Sequence, residues 1–89
     1  MPVSFGKDVR ILFRVRDVSC MSAYGVLLDD YSYMSDPKAD DKVSDHANAR
    51  SVFARLTGDA QPRMPMGGPY WSAAQLEVYS NWMTDGFQP

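Results

Sequence analysis

The segment from Asp59 to Tyr70 restricts the fold more than any other part of the chain. Its twelve positions contain five residues that interrupt regular structure, namely Pro62, Pro65, Gly67, Gly68 and Pro69. Neither a helix nor a central strand can persist there, because proline lacks the amide donor and glycine gains least from ordering. The sequence therefore predicts a defined loop at this place.

Helices are predicted on both sides of this loop. After it, Ser72 and Gln75 have the spacing of a capping box, and a broad apolar face ends at Gly86. That face consists of Leu76, Val78, Tyr79, Trp82 and Met83. Before the loop, Ser44 or Asp45 is the expected cap of a helix that Gly58 terminates. The apolar stripe of this helix consists of Ala49, Val52, Phe53 and Leu56.

The N-terminal half also has helical spacing. An amphipathic helix is predicted over residues 8–16, with Val9, Leu12 and Phe13 on one face and arginines on the other. Asp17 can cap a further turn through Met21 that Gly25 ends. A one- or two-turn helix follows Asp29 and Asp30, reaches Met34 and stops before Pro37, and Ser35–Lys42 is a polar loop.

No alternating pattern of apolar and polar residues competes with these helices. The expected fold is all-α, with four or five short helices in a single domain over residues 1–89 and a core over about residues 8–86. A chain of 89 residues buries only about 60% of its unfolded surface, so the margin of stability is thin.

Composition excludes several classes of function. A single cysteine, Cys20, rules out a disulfide framework or a multi-cysteine zinc site. The early cations are interpreted as a solvated face, not a nucleic-acid site, and the aspartate-rich middle lacks the glycine turn and closing glutamate of a calcium loop. We expect no bound metal. With no export signal and no apolar stretch of about 20 residues, a soluble, cytoplasmic protein without membrane contact is expected.

The order of five short motifs along the chain indicates a resemblance to a known family. They are Leu28-Asp29-Asp30-Tyr31, Ala54-Arg55-Leu56-Thr57-Gly58-Asp59, Arg63-Met64-Pro65, Gly68-Pro69-Tyr70-Trp71-Ser72 and Trp82-Met83-Thr84-Asp85-Gly86. In this order the chain resembles small c-type cytochrome domains, and most of all the planctomycete-type class, over nearly its whole length from about Val9. The resemblance implies a cytochrome c-like bundle in which the first and last helices cross, and it would favour export to the periplasm.

The chain departs from this family at the haem-attachment motif. Cys-x-x-Cys-His supplies two thioether links and an iron ligand there, whereas this chain has Asp17, Cys20 and Met21 at the three positions. The resemblance places Met64 at the distal iron ligand. We therefore expect no haem, and if a haem or another ligand is bound, the candidates are Cys20, Met21, Met64 and Met66.

The space that a haem would occupy has to be filled or left as a cavity. Large rings and flexible thioethers offer fillers, so the prediction is a packed core to which Met64 belongs. Cys20 is expected to be a small buried residue, and His46, the one histidine, a polar residue in the first turn of a helix. No catalytic residue is assigned. The candidates for contact with a partner are Tyr70, Trp71, Trp82 and Phe87.

Three functional hypotheses follow from the sequence. The preferred one is a non-catalytic, haem-less accessory module that binds an enzyme or a larger subunit, with a homodimer as an open possibility. The second is binding of a small apolar ligand or non-covalent haem in the former haem cavity, which predicts a sizeable opening near Met21, Met64 and Tyr70. The third is a redox or enzymatic role through Cys20 or His46, which predicts that one of them is exposed in a cleft.

Overall fold

Helical segments follow one another along the whole described chain. The computed structural model describes residues 3–40, 45–61, 63–65 and 69–89. A π-helical turn, Phe5–Val9, continues into a 3-10 turn, Arg10–Leu12, and four α-helices follow: α1 (Val15–Ser22), α2 (Tyr31–Met34), α3 (Ala47–Thr57) and α4 (Ala73–Thr84). These ranges contain no strand. With the two N-terminal turns counted as one irregular helix, the described residues contain five helices, which confirms the predicted all-α class.

The helix predicted over residues 8–16 is confirmed only in part: residues 8–12 lie in the two N-terminal turns and residues 15–16 in α1, but the helix is interrupted at Phe13 and Arg14. Both residues have extended backbone angles, with ψ values of 129° and 155°. The extended backbone accompanies burial of the Phe13 ring, whose centroid lies 5.1 Å from that of Trp71 and 6.5 Å from that of Tyr79. Packing against residues far along the chain therefore overrides the helical spacing.

Helix α1 begins after this break, with Arg14 as its N-cap residue. Asp17 is not the cap that the sequence suggested: it lies three residues inside and accepts a hydrogen bond from the Arg14 amide at 3.2 Å. Helix α2 agrees with the prediction. The Asp30 carboxylate accepts hydrogen bonds from the amides of Ser32 and Tyr33, and the helix ends at Met34.

The start of α3 differs from the prediction. Its N-cap residue is His46, in a left-handed conformation with φ 47°, and no side chain caps the helix. Ser44 lies outside the described residues. Asp45 points its carboxylate at His46 and Arg50 instead. The predicted stop at Gly58 is confirmed: the residue has φ 91°, and an added Cβ would lie 3.1 Å from the Arg63 side chain.

Helix α4 begins as predicted. Ser72 Oγ accepts from the Gln75 amide at 3.3 Å, and Gln75 Oε1 accepts from the Ser72 amide at 2.8 Å. These two reciprocal bonds satisfy amides that the first turn of a helix leaves without a partner. The helix buries Tyr79 and Trp82 completely.

An aromatic cluster forms the centre of the core. Trp82 makes edge contacts with Tyr79 and Phe87, at centroid distances of 5.4 and 5.1 Å. Tyr79 also stacks on Phe53 and donates a hydrogen bond to the Ala49 carbonyl at 2.7 Å, which joins α4 to α3. The other buried members of the core include Val9, Phe13, Met21, Leu28, Met34, Val52, Leu56, Met64 and Trp71.

The two ends of the chain lie together. Phe5 packs on Trp82 at a centroid distance of 5.4 Å, and its amide donates to the Gln88 carbonyl at 3.0 Å. Tyr31 donates from its hydroxyl to the Phe87 carbonyl at 2.6 Å. The N-terminal turn and α4 are therefore neighbours, and the core extends to Phe5 and Phe87, beyond the limits of about 8 and 86 expected from the sequence.

Candidate functional site

Two shallow grooves lie side by side where α1 meets the loop before α4. The first, here called the sulfur groove, is lined by Arg16, Asp17, Cys20, Met21, Met64 and Pro65. The second, the tyrosine groove, is lined by Leu12, Arg14, Asp17, Pro65, Pro69, Tyr70, Trp71 and Gln75. Each has a volume of about 110 Å³. Because both contain Asp17 and Pro65, they form one continuous surface.

An ion pair at the start of α1 lies where the grooves adjoin, because Asp17 lines both of them and Arg14 lines the tyrosine groove. Arg14 donates from Nε to Asp17 Oδ2 and from Nη2 to Oδ1, both at 3.0 Å. The Asp17 side chain is 8% exposed, whereas that of Arg14 is 42% exposed. The hydrogen bonds and the charge of Asp17 raise the pKa of the Arg14 guanidinium above its ordinary value. The forked geometry holds this guanidinium in one orientation at the surface.

The sulfur groove brings together three of the four residues predicted to contact a haem or other ligand. Met64 and Met21 are buried, at 2% and 7% exposure, and belong to the core as the sequence suggested for Met64. Cys20 is exposed, so the expectation that it is a small buried residue is wrong. It lies on the outer side of α1, one position before the buried Met21. Met66 lies outside the described residues.

The described residues do not fit an attached haem. Asp17, which the resemblance would place at the first attachment cysteine, is held by both oxygens to Arg14. Met21, which the resemblance would place at the proximal histidine, is packed in the core. The groove volume of about 110 Å³ is also well below the ~300 Å³ at which pockets for small organic ligands usually begin.

Of the four residues predicted to contact a partner, one is exposed. Tyr70 has 51% of its surface exposed, and the Arg63 guanidinium carbon lies 4.2 Å from its ring centroid. The other three are buried and serve the core: Trp71 at 7%, Trp82 at 0% and Phe87 at 6% exposure. Trp71 alone among these three also lines the tyrosine groove.

Sequence reasoning missed the two most exposed large aliphatic side chains among the described residues. Ile11 is 72% exposed and Val15 is 79% exposed. They stand four positions apart among Arg10, Arg14 and Arg16, on the face opposite the apolar stripe of the predicted N-terminal helix. The sequence contained a signal for this exposure, because two branched apolar residues lie on an otherwise cationic face. In the chain they adjoin Leu12 and Arg14, which line the tyrosine groove.

The contacts of the His46 ring indicate a structural role. Its ring stacks on Phe87 at a centroid distance of 3.7 Å, and Nδ1 lies 3.1 Å from an Asp45 carboxylate oxygen. Hydrogen bonds from His46 and Arg50 lower the pKa of Asp45 below its ordinary value. Cys20 lines the sulfur groove, whose described lining does not include His46. The structure therefore does not bring these two candidates for chemistry together in either groove.

A further open groove of about 350 Å³ runs between α3 and α4, lined by Arg50, Phe53, Ser80, Met83 and Thr84. In the ranges that the structure covers, no three side chains among histidine, cysteine, aspartate and glutamate cluster as metal ligands would. Over the same ranges no helix has the length and apolar character needed to cross a membrane.

Comparisons of the chain with models of protein families, with curated proteins and with solved structures find no match. The likeness to cytochrome c domains therefore stays a prediction from the sequence motifs.

Proposed function

We propose that this chain is a non-catalytic protein-interaction module, a small accessory subunit of cytochrome c-like design that works without haem and binds an enzyme or a larger subunit. The observation that carries the proposal is the exposure of Tyr70, which lines the tyrosine groove, together with that of Ile11 and Val15, which adjoin the lining residues Leu12 and Arg14 in the chain. Single apolar side chains at a surface are ordinary, but a group of them beside a groove is typical of a binding surface.

The residue types support a protein as the partner. Tyrosine and arginine are enriched at protein interfaces and in the few residues that carry most of the binding energy. Tyr70, stacked under Arg63, and Arg14, held by Asp17, are both ordered before any partner arrives. Side chains that are already ordered lose less conformational entropy on binding.

The non-catalytic part of the proposal rests on the contacts of the reactive side chains. His46 is engaged by Asp45 and Phe87. The described lining of the sulfur groove places no histidine beside Cys20, and its one carboxylate, Asp17, is held by Arg14 through both oxygens. A nucleophile needs a base within hydrogen-bonding reach, or a lowered pKa, to act near neutral pH. The proposal retains a cytoplasmic location as an expectation.

Site-specific photocrosslinking in the cells that make the protein tests the proposal. A photoreactive amino acid replaces Val15 or Tyr70, and the matched control carries it at Asn81, an exposed position on α4. We expect a discrete covalent adduct with one protein from each of the first two positions and none from position 81. Monomeric protein without adducts from either apolar position would contradict an interaction role.

The haem-less part of the proposal has its own test. The protein is purified from cells supplied with excess haem, and its visible spectrum is recorded before and after acid–acetone extraction. A folded, colourless protein is expected. A Soret band that survives extraction would make Cys20 an attachment site, and an extractable band stoichiometric with the protein would favour a haem-binding function instead.

A further inference from the structure

We propose that the surface formed by Arg10, Ile11, Arg14, Val15, Arg16 and Tyr70, here called the basic-apolar face, binds an acidic segment of a protein partner that places an apolar side chain in the tyrosine groove. This inference rests on the proposed function and names both the face and the chemistry of its partner.

The apolar component of this face consists of Tyr70, which lines the groove, and of Ile11 and Val15, which adjoin the lining residues Leu12 and Arg14 in the chain. Ile11 and Val15 are more than 70% exposed, and Tyr70 is half exposed. Between them in the chain, Leu12 is half-buried and lines the groove together with the buried Trp71. A groove of about 110 Å³ is too small for a drug-sized ligand and is suited to a single side chain.

The charge of the face selects an acidic partner. Residues 7–17 contain four cationic and two acidic side chains, a local charge of +2 in a chain whose formal net charge is −2. Asp8 is engaged by the Ser4 amide, and Asp17 by Arg14. Within the described residues, no ion pair neutralises Arg10 or Arg16. Complementary charge of this kind steers association and favours carboxylates.

Arg14 has the geometry to recognise a carboxylate. A guanidinium has five N–H donors, and its bonds to Asp17 use one on Nε and one on Nη2. The remaining donors lie on a group that is 42% exposed and lines the tyrosine groove. A fixed, planar donor set favours carboxylates, which accept two parallel hydrogen bonds.

A protein segment fits these observations better than an anionic membrane. Helices that lie in a membrane interface present a large apolar face, rich in tryptophan, phenylalanine or leucine, along their length. Here the exposed apolar residues of α1 and the preceding turn are Ile11 and Val15, and α1 has eight residues. A groove for one side chain, flanked by arginines, is instead suited to a short peptide.

The test is a selection of short random peptides, displayed on phage, against the full chain. We expect the enriched peptides to combine aspartate or glutamate with a large apolar residue. Binding of the best synthetic peptide should weaken roughly tenfold or more in Arg16→Glu and in the double variant Ile11→Ser, Val15→Ser. It should also weaken as salt is raised.

Matched controls make the same chemical changes elsewhere. Lys38→Glu alters charge equally at an exposed loop position, and Tyr24→Ser removes an exposed apolar side chain outside the face. Both should bind the peptide like the parent. All substituted residues are exposed, and far-ultraviolet circular dichroism checks that each variant folds.

Three outcomes would overturn the inference: no enrichment of peptides, enrichment without acidic residues, or equal binding by parent and Arg16→Glu. The inference also fails if phosphatidylserine vesicles bind to the face while no acidic peptide does. Photocrosslinking at Val15 or Tyr70 distinguishes this failure from failure of the proposed function. If it yields a protein adduct while the peptide selection gives an overturning result, the interaction role stands and only the inference of an acidic partner is wrong.

Discussion

At the scale of single residues, the Asp17 side chain couples the fold to the candidate surface. It is nearly buried, satisfies the Arg14 amide at the start of α1, and orients the Arg14 guanidinium. Asp17→Ala should destabilise the protein by about 1–2 kcal/mol, because an N-terminal amide and a guanidinium lose their acceptor. Urea unfolding measures this change. The control Asp29→Ala, at an exposed position, should be nearly neutral, and an equal loss in both variants would contradict this role of Asp17.

Asp45 gives the protein a pH dependence at acid pH. His46 and Arg50 lower the pKa of its carboxyl below 3.8, so the folded state favours the ionised form. The resulting stabilisation is complete well above 3.8 and is lost as the pH falls below that value. Asp45→Asn should therefore have a lower thermal midpoint than the parent at neutral pH, and the difference should shrink on acidification. A difference that does not change with pH would contradict this account.

At the scale of elements, local chemistry could be predicted and long-range packing could not. The Ser72–Gln75 capping box, the short helix that follows Asp30 and the Gly58 stop depend on residues within a few positions of one another, and the sequence predicted all three. The break at Phe13 depends on Trp71, far along the chain, so the helical spacing of residues 8–16 was misleading.

The candidate surface shows the same division. Its aromatic member, Tyr70, was one of four aromatic residues predicted as contacts because exposed aromatic side chains mark interfaces. Ile11 and Val15 were not predicted because their positions fall on the face that the spacing assigns to solvated cations. The burial of Phe87 depends on how the two chain ends meet, which no short-range pattern encodes, whereas Trp82 belongs to the apolar face predicted for the last helix.

The contact between α3 and α4 supports a second pH-dependent prediction. Tyr79 donates to the Ala49 carbonyl, and burial raises the pKa of its hydroxyl well above 10. Tyr79→Phe should cost about 1 kcal/mol at neutral pH through loss of this hydrogen bond. A raised folded-state pKa means that the stabilisation is present below pH 10 and lost above it, so the difference from the parent should shrink in alkali. Chemical denaturation at neutral and at alkaline pH measures this difference in the free energy of unfolding. The control is Tyr24→Phe, because the ring of Tyr24 is exposed.

At the scale of the whole molecule, the core joins parts of the chain that are distant in sequence. Phe5 packs on Trp82, Phe13 packs on Trp71, and Tyr31 donates to the Phe87 carbonyl. A domain of this size has a free energy of unfolding on the order of 0.05–0.15 kcal/mol per residue, so the loss of one such contact removes a large share of the total. In the sequence, the residues of the basic-apolar face lie on both sides of Phe13, so the contact of Phe13 with Trp71 anchors this segment to the core.

The packing of the chain ends can be tested with two variants of Phe5. Phe5→Leu should cost about 1 kcal/mol, whereas Phe5→Ala should cost about 3–5 kcal/mol because it leaves a cavity beside Trp82. Near-ultraviolet circular dichroism reports on the tryptophans, and far-ultraviolet circular dichroism reports on the helices. In each variant both signals should be lost in the same unfolding transition. Loss of the tryptophan signal before the helical signal would show that the two ends separate while the remaining helices stay folded. In that case the face formed by the N-terminal turns and α1 would have a stability of its own, and peptide binding should survive Phe5→Ala.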